Sequence, residues 1–233
     1  PLPLVLLPHG GPTSRDDIDF DPWAEFLADR GHAVLQVNFR GSEGYGLAFR
    51  QAGLKRWGLE MQDDLEDAAA WAQRQGLGAD GRICIVGGSY GGYAALMGLV
   101  KTPALYRCAV SFAGVTDLPA LIAHESDYIG GRNAALRTIG DPERDGERLR
   151  ATSPALQAQQ LRAPVLLVHG NADRVVPVAQ SQAMARALQR AGKPHRYVEQ
   201  DGGDHHLSRQ QHRLALFGEL ETFLDQHLHT PTP

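Results

Sequence analysis

Residues 82–100 read RICIVGGSYGGYAALMGLV, and the rest of the chain is organised around them. Ile83–Val86 is a short apolar run with β-branched residues, the pattern of a strand buried on both faces. Tyr93–Val100 is apolar and built of small and straight-chain residues, which predicts a helix. Between them, Gly87, Ser89 and Gly91 form G-x-S-x-G on a strand-to-helix turn, the pattern that carries a nucleophilic serine at its apex. So sharp a turn holds the serine in a strained conformation, and neighbours with a Cβ would collide with strand or helix. The helix N-terminus behind Ser89 offers free N–H groups to a developing oxyanion.

Outward from that turn, strand and helix patterns alternate. Leu4–Leu7 reads as a strand leading into His9-Gly10-Gly11-Pro12. Asp21 and Pro22 are an N-cap and N1 pair that open a helix to about Arg30. Ala33–Val37, Arg107–Phe112, Val165–Val168 and His195–Val198 are strands; Met61–Gln75, Ala179–Ala191 and Arg209–His229 are helices, and Ser153-Pro154 starts another. The tail from Thr230 is expected to fray. The alternation implies an α/β fold with a mostly parallel sheet and helices on both faces. Function in such sheets collects beyond the carboxyl ends of the strands.

At 233 residues the chain suits one α/β domain. A formal net charge of −4 gives no electrostatic case for nucleic acid or an anionic membrane, and no apolar run is long enough to span a bilayer. Pro1–Pro8 lacks the basic flank and small-residue cleavage site of a signal peptide, and beginning in a core strand it suggests a piece of a longer protein. Cys84 and Cys108 lie in apolar runs and read as buried thiols rather than a disulfide framework or metal ligands. No cofactor or metal is implied, because no histidine pair has ligand spacing.

A serine needs a base, and the base needs an orienting acid. In this fold they follow the nucleophile in the order Ser, Asp, His. Asp173, just past Val165–Val168, supplies the acid. The last strand leads into Asp204-His205-His206, where either histidine could be the base on chemistry alone. His169 is expected to hold a loop, His32, His195, His212, His227 and His229 to be solvated or capping, and His124 has no assigned role. The oxyanion donors expected are the backbone N–H of Tyr90 and one from the His9–Pro12 loop. Phe112, Val115, Leu118 and Tyr128 are expected to line an apolar substrate pocket.

With these residues in view, the chain resembles the catalytic domain of the prolyl oligopeptidase family of serine peptidases, in its acylaminoacyl-peptidase and dipeptidyl-peptidase-like branch. The likeness rests on HGGP at His9–Pro12, NFRGSEGYG at Asn38–Gly46, WGLEMQDDL at Trp57–Leu65, GGSYGGY at Gly87–Tyr93, HGNADRVVP at His169–Pro177 and DHHLSR at Asp204–Arg209, and runs from His9 to about Leu224. It implies an α/β-hydrolase fold and a Ser89, Asp173, His205 triad, with His206 standing where relatives often carry an aromatic residue. It also implies Gly11 N–H as the second oxyanion donor; relatives that use a tyrosine hydroxyl there carry it where His9 stands. Family members usually place a β-propeller before this domain, so residues 1–233 are expected to be the C-terminal part of a longer chain. The implied activity is hydrolysis of short peptides through an acyl-enzyme. A carboxylesterase on the same fold is the alternative, and a silent binding module, which typically loses a triad member, the remote one. Homo-oligomer formation and compartment stay open.

Overall fold

The computed structural model describes residues 1–79 and 81–229. Six strands alternate with nine helices among these residues: β1 (Leu4–Pro8), α1 (Pro22–Asp29), β2 (Ala33–Val37), α2 (Leu47–Gln51), α3 (Glu60–Arg74), β3 (Ile83–Gly88), α4 (Tyr90–Lys101), β4 (Cys108–Phe112), α5 (Leu118–Glu125), α6 (Gly131–Thr138), α7 (Gly146–Ala151), β5 (Val165–Gly170), α8 (Ala179–Arg190), β6 (His195–Gln200) and α9 (Gln210–Leu224). The Ser153-Pro154 start opens only a 3₁₀ turn, Pro154–Leu156, and α9 runs on into a π turn, Asp225–His229. The tail expected to fray, 230–233, lies outside the described residues, as does the side chain of His229.

The strands form one sheet in the order β2-β1-β3-β4-β5-β6, and every pairing is parallel. The chain therefore winds one way from β1 to the edge strand β2, then returns and winds the other way from β3. The reversal falls between β1 and β3, where open α/β sheets place their ligands.

Alternation along the strands explains why both faces are covered. Leu4, Leu6, Ile83, Ile85, Val165 and Leu167 point to the side of α3, α4 and α8, where Leu65, Leu96 and Met184 meet them. Val5, Leu7, Cys84, Val86, Val110, Leu166 and Val168 point to the side of α1 and α9, against Leu27, Leu216 and Leu220. The predicted cap is present, with Asp21 Oδ1 accepting from Trp23 N–H at 2.8 Å and Ala24 N–H at 2.9 Å.

The cysteines correct the sequence reading. They are buried, but as a disulfide between Cys84 and Cys108. Parallel register puts the two residues opposite one another on neighbouring strands, with Cα atoms 4.8 Å apart. Each looked like an isolated core thiol because nothing in the chain announces that β3 and β4 are neighbours at that register. The bridge closes a separation of 24 residues and ties the strand that leads to Ser89 to the next. By loop-closure entropy it is worth about 3 kcal/mol. Alkylation in denaturant without reductant should leave both cysteines unmodified, and the double Cys→Ala variant should unfold at lower urea.

Candidate active site

The elbow forms as its glycines require. Ser89 sits at φ 58°, ψ −121°, a strained backbone for a residue with a Cβ and worth about 1–3 kcal/mol. The conformation is held by Ser89 N–H donating to Phe112 O at 2.9 Å and Tyr93 N–H to Ser89 O at 3.0 Å. A Cβ on Gly91 would lie 2.2 Å from Pro8 O, so the helix behind Ser89 touches the end of β1 backbone to backbone. Tyr90 opens α4, and its N–H has no acceptor within the helix.

Gly11, at φ 119°, lies on the loop that follows β1 and lines one cavity with Ser89 and Tyr90. His9 fixes that loop from behind. It is nearly buried, its Nδ1–H donates to Gly10 O at 2.7 Å, its Nε2 lies 2.8 Å from Ser42 Oγ, and its ring stacks on Phe39 at 4.4 Å. Burial lowers the imidazole's pKa, with the Gly10 carbonyl working the other way, and the Ser42 hydroxyl is itself fixed by donating to Phe39 O at 2.7 Å.

Four of the six motifs that carry the family likeness meet in a single aromatic cluster. Phe39 contacts Tyr90 at 5.3 Å between ring centres, Tyr90 contacts Trp57 at 4.7 Å, and Trp57 contacts Tyr93 at 5.3 Å. The Arg40 guanidinium grips the Asp64 carboxylate with two bonds of 2.8 and 2.5 Å, joining the loop after β2 to α3. The other two motifs are stitched together at the ends of β5 and β6. Ala172 N–H donates to Gly203 O at 2.9 Å, Gly202 N–H to Asn171 Oδ1 at 2.8 Å, and Gly170 packs against the Gly203 backbone.

That stitching brings Asp173 to His205. His205 Nδ1 and Asp173 Oδ2 are 2.7 Å apart, while the other carboxylate oxygen accepts from Val175 N–H at 2.8 Å and Val176 N–H at 2.9 Å. His169 stands behind, its Nε2 3.3 Å from Asp173 Oδ2 and 2.9 Å from Val176 O, its Nδ1 2.7 Å from Ser181 Oγ. The Asp173 side chain is fully buried. Burial alone would raise its pKa; the hydrogen bonds from His169, His205 and Val176 more than offset that and hold it well below the usual carboxylate range. His206 is exposed, set edge-on to the His205 ring, and makes no bond to Asp173 among the described residues. Asp204 shapes this loop by accepting from His206 N–H at 3.1 Å and Ser208 N–H at 3.0 Å.

Two cavities meet at Ser89. One, of about 260 Å³, has an apolar wall of Trp57, Met61, Val115, Leu121, Val176 and Ile139 beside Gly11 and Tyr90. The other, of about 270 Å³, contains His205, His206, His9, Trp23, Phe112 and the carboxylates of Asp16 and Asp21. The expected pocket of Phe112, Val115, Leu118 and Tyr128 is therefore corrected. Val115 lines the first cavity and Phe112 the second; Leu118 is sealed in the core, and Tyr128 is half-exposed against His124. Leu118 turns inward because Asp117 caps α5, its side chain accepting from Ala120 N–H at 3.0 Å. That cap, with Pro119 after it, was the signal for a helix here.

Two of the histidines expected in solvent or at caps, His32 and His212, are buried instead. His212 closes the turn after β6, with Nε2 3.1 Å from Asp201 O and its own carbonyl accepting from Gln200 Nε2 at 2.9 Å. Among the described residues no group of three or more His, Cys, Asp or Glu side chains could hold a metal, and no helix is long and apolar enough to cross a membrane.

Comparison with known proteins agrees with this architecture. The family model described as "Prolyl oligopeptidase family" matches residues 18–230. The chain is 39% identical over 231 residues to dipeptidyl aminopeptidase BIII of Pseudoxanthomonas mexicana, covering 98% of this chain and 34% of that protein. A puromycin-hydrolysing peptidase of Mycobacterium tuberculosis superposes with a TM-score of 0.93 at 29% identity, over 99% of this chain and 35% of that one. An acylaminoacyl peptidase of Pyrococcus horikoshii superposes at 0.88 and 27% identity, over 97% of this chain and 38% of that one. The chain thus spans about a third of the length of the relatives it matches. A match over this span, to a family of serine peptidases built on the α/β-hydrolase fold, places the chain in the prolyl oligopeptidase family.

Proposed function

We propose that this chain is the catalytic domain of a peptidase that cleaves short peptides through an acyl-enzyme on Ser89. The observation that carries the reading is the buried Asp173 carboxylate bonded to His205 Nδ1, with His205 and Ser89 lining one cavity. An imidazole whose Nδ1–H is committed to a carboxylate has its Nε2 free as a base.

In the proposed reaction His205 Nε2 takes the Ser89 hydroxyl proton as Oγ attacks the scissile carbonyl. Asp173 keeps the imidazole in that tautomer and stabilises the imidazolium. The N–H groups of Gly11 and Tyr90 receive the oxyanion, each worth roughly 3–4 kcal/mol. His205 then protonates the leaving amine, and a water deprotonated by His205 releases the acyl group. The apolar cavity beside Tyr90 receives the acyl-side residue, since it lies with the oxyanion donors and away from His205. A propeller-bearing longer protein, as in the family, would meter access to this site.

The test uses the protein at its natural full length. A fluorophosphonate probe should label one site, mapped to the peptide containing Ser89, and labelling should block cleavage of peptide anilides. Peptide cleavage that continues after complete labelling would overturn the reading.

A further inference from the structure

The second cavity at Ser89 is lined by Asp16, whose carboxylate makes no ion pair with the other lining residues. Asp16 Oδ2 is fully buried and has no hydrogen-bond partner. Its backbone, in contrast, is gripped from both sides: Asp16 N–H donates to Asn38 Oδ1 at 2.8 Å, and Asn38 Nδ2–H donates back to Asp16 O at 2.9 Å. The residue is held at the cavity wall, half-buried, by its backbone. Asp21 lines the same cavity, and the described lining includes no lysine or arginine. The one arginine on the Asp16 loop, Arg15, is turned to Asp17 at 2.8 Å.

The proposed mechanism, on which this inference rests, decides what that cavity receives. His205 delivers a proton to the departing nitrogen, so the leaving peptide lies on the imidazole side of Ser89. His205 and His206 line the Asp16 cavity and are not among the lining of the apolar one. We propose that Asp16 makes the leaving-group side a cation-selective subsite, preferring substrates in which the first residue after the scissile bond is lysine or arginine. An incoming ammonium or guanidinium would meet the Asp16 carboxylate on a wall that carries no lysine or arginine, and a charge-assisted hydrogen bond is the strong kind.

Burial, followed by the charges of Asp21 and Asp17, pushes the Asp16 carboxyl up to about 6. The charged and titratable groups around it are Asp17 on its own loop, where Arg15 pairs with Asp17, Asp21 at the start of α1, and His9, His205 and His206 in the lining of the same cavity. The selectivity should therefore grow as pH rises through about 6. Discrimination between two substrates is the proper readout, because a group that acts equally on both cancels in their ratio.

The experiment loads the acyl-enzyme of the full-length protein from a peptide ester, then offers lysinamide, norleucinamide or glutamamide. The α-amine attacks the Ser89 ester, His205 accepts its proton and returns it to Ser89 Oγ, and the amide product competes with hydrolysis. Lysinamide should be captured about tenfold better than norleucinamide at pH 8, and glutamamide worse than both. At pH 5 the lysine advantage should shrink toward one. In Asp16→Asn, which keeps the backbone grip of Asn38, it should be near one at both pH values. A wild-type ratio near one at pH 8, or a ratio that survives Asp16→Asn, overturns the subsite. Should the variant not fold, the wild-type pH series alone decides. No labelling of Ser89 and no acyl-enzyme would instead defeat the serine-peptidase reading itself, and the subsite with it.

Discussion

Ser89→Ala should lower kcat for peptide anilides by about 10⁴-fold or more and abolish fluorophosphonate labelling. The substitution removes one oxygen and leaves the site's shape: alanine keeps the Cβ that packs near Gly10 and the same strained backbone. The loss should therefore fall on kcat, with KM for a good peptide nearly unchanged and the thermal midpoint within a degree or two of wild type. A trace of activity should remain, since the proposed oxyanion donors, the N–H groups of Gly11 and Tyr90, are left in place for attack by water. Initial rates, active-site titration and a thermal melt on the same preparation check all three. Retained turnover with a normal melt would mean that the elbow serine is a structural relic of its fold.

The second large effect is expected at Asp173. Asp173→Asn should cost about 10⁴-fold in kcat, because an amide can turn its NH₂ toward Nδ1 and leave the imidazole in the tautomer that cannot accept the serine proton. It should also change stability with pH. The native carboxyl is held below its ordinary value of 3.8, so its stabilisation is fully present above that value and is lost as pH falls below it. Wild type should lose thermal stability between about pH 4 and about pH 2 more steeply than Asp173→Asn. Melts across that range, set beside kcat at pH 7 to 8, separate the electrostatic role from the catalytic one. An unchanged kcat would remove Asp173 from the site.

Asp16 adds a stability effect of opposite sign. Its carboxyl is raised, so ionising it destabilises the fold as pH climbs from about 4 to about 6. Asp16→Asn should melt higher than wild type at pH 8 and the same at pH 4.

How much of this was legible in the chain depends on range. The elbow, the Asp21 cap and the alternation of strands and helices are local, and the structure places most of their bounds within a residue or two, with α4 starting three residues earlier and α9 giving way to a π turn at Asp225. Choosing between His205 and His206 needed the resemblance, because both have the same chemistry and only the turn that Asp204 braces decides which ring meets the acid. The region after β4 was read least well. Its helices α5, α6 and α7 are six to eight residues long, too short to show a hydrophobic period, so Leu118 and Tyr128 were placed in a pocket neither reaches. Asp16 went unread for a different reason. In RDDIDFDP a carboxylate looks like one of several solvated loop charges, and only the clamp by Asn38, twenty-two residues on, holds one of them at the cavity wall. The Cys84–Cys108 pair was hidden in the same way, behind a register.

The contact between Gly91 and Pro8 O reaches beyond steric fit. With no side chain between them, the peptide in the first turn of the elbow's helix and the peptide that leads to the His9–Pro12 loop share a boundary of bare backbone. A displacement of either is transmitted to the other without a compressible layer to absorb it. Variation in this lineage should therefore treat the two segments as one unit, so that a chain which remodels its HGG loop must also remodel its elbow or lose both.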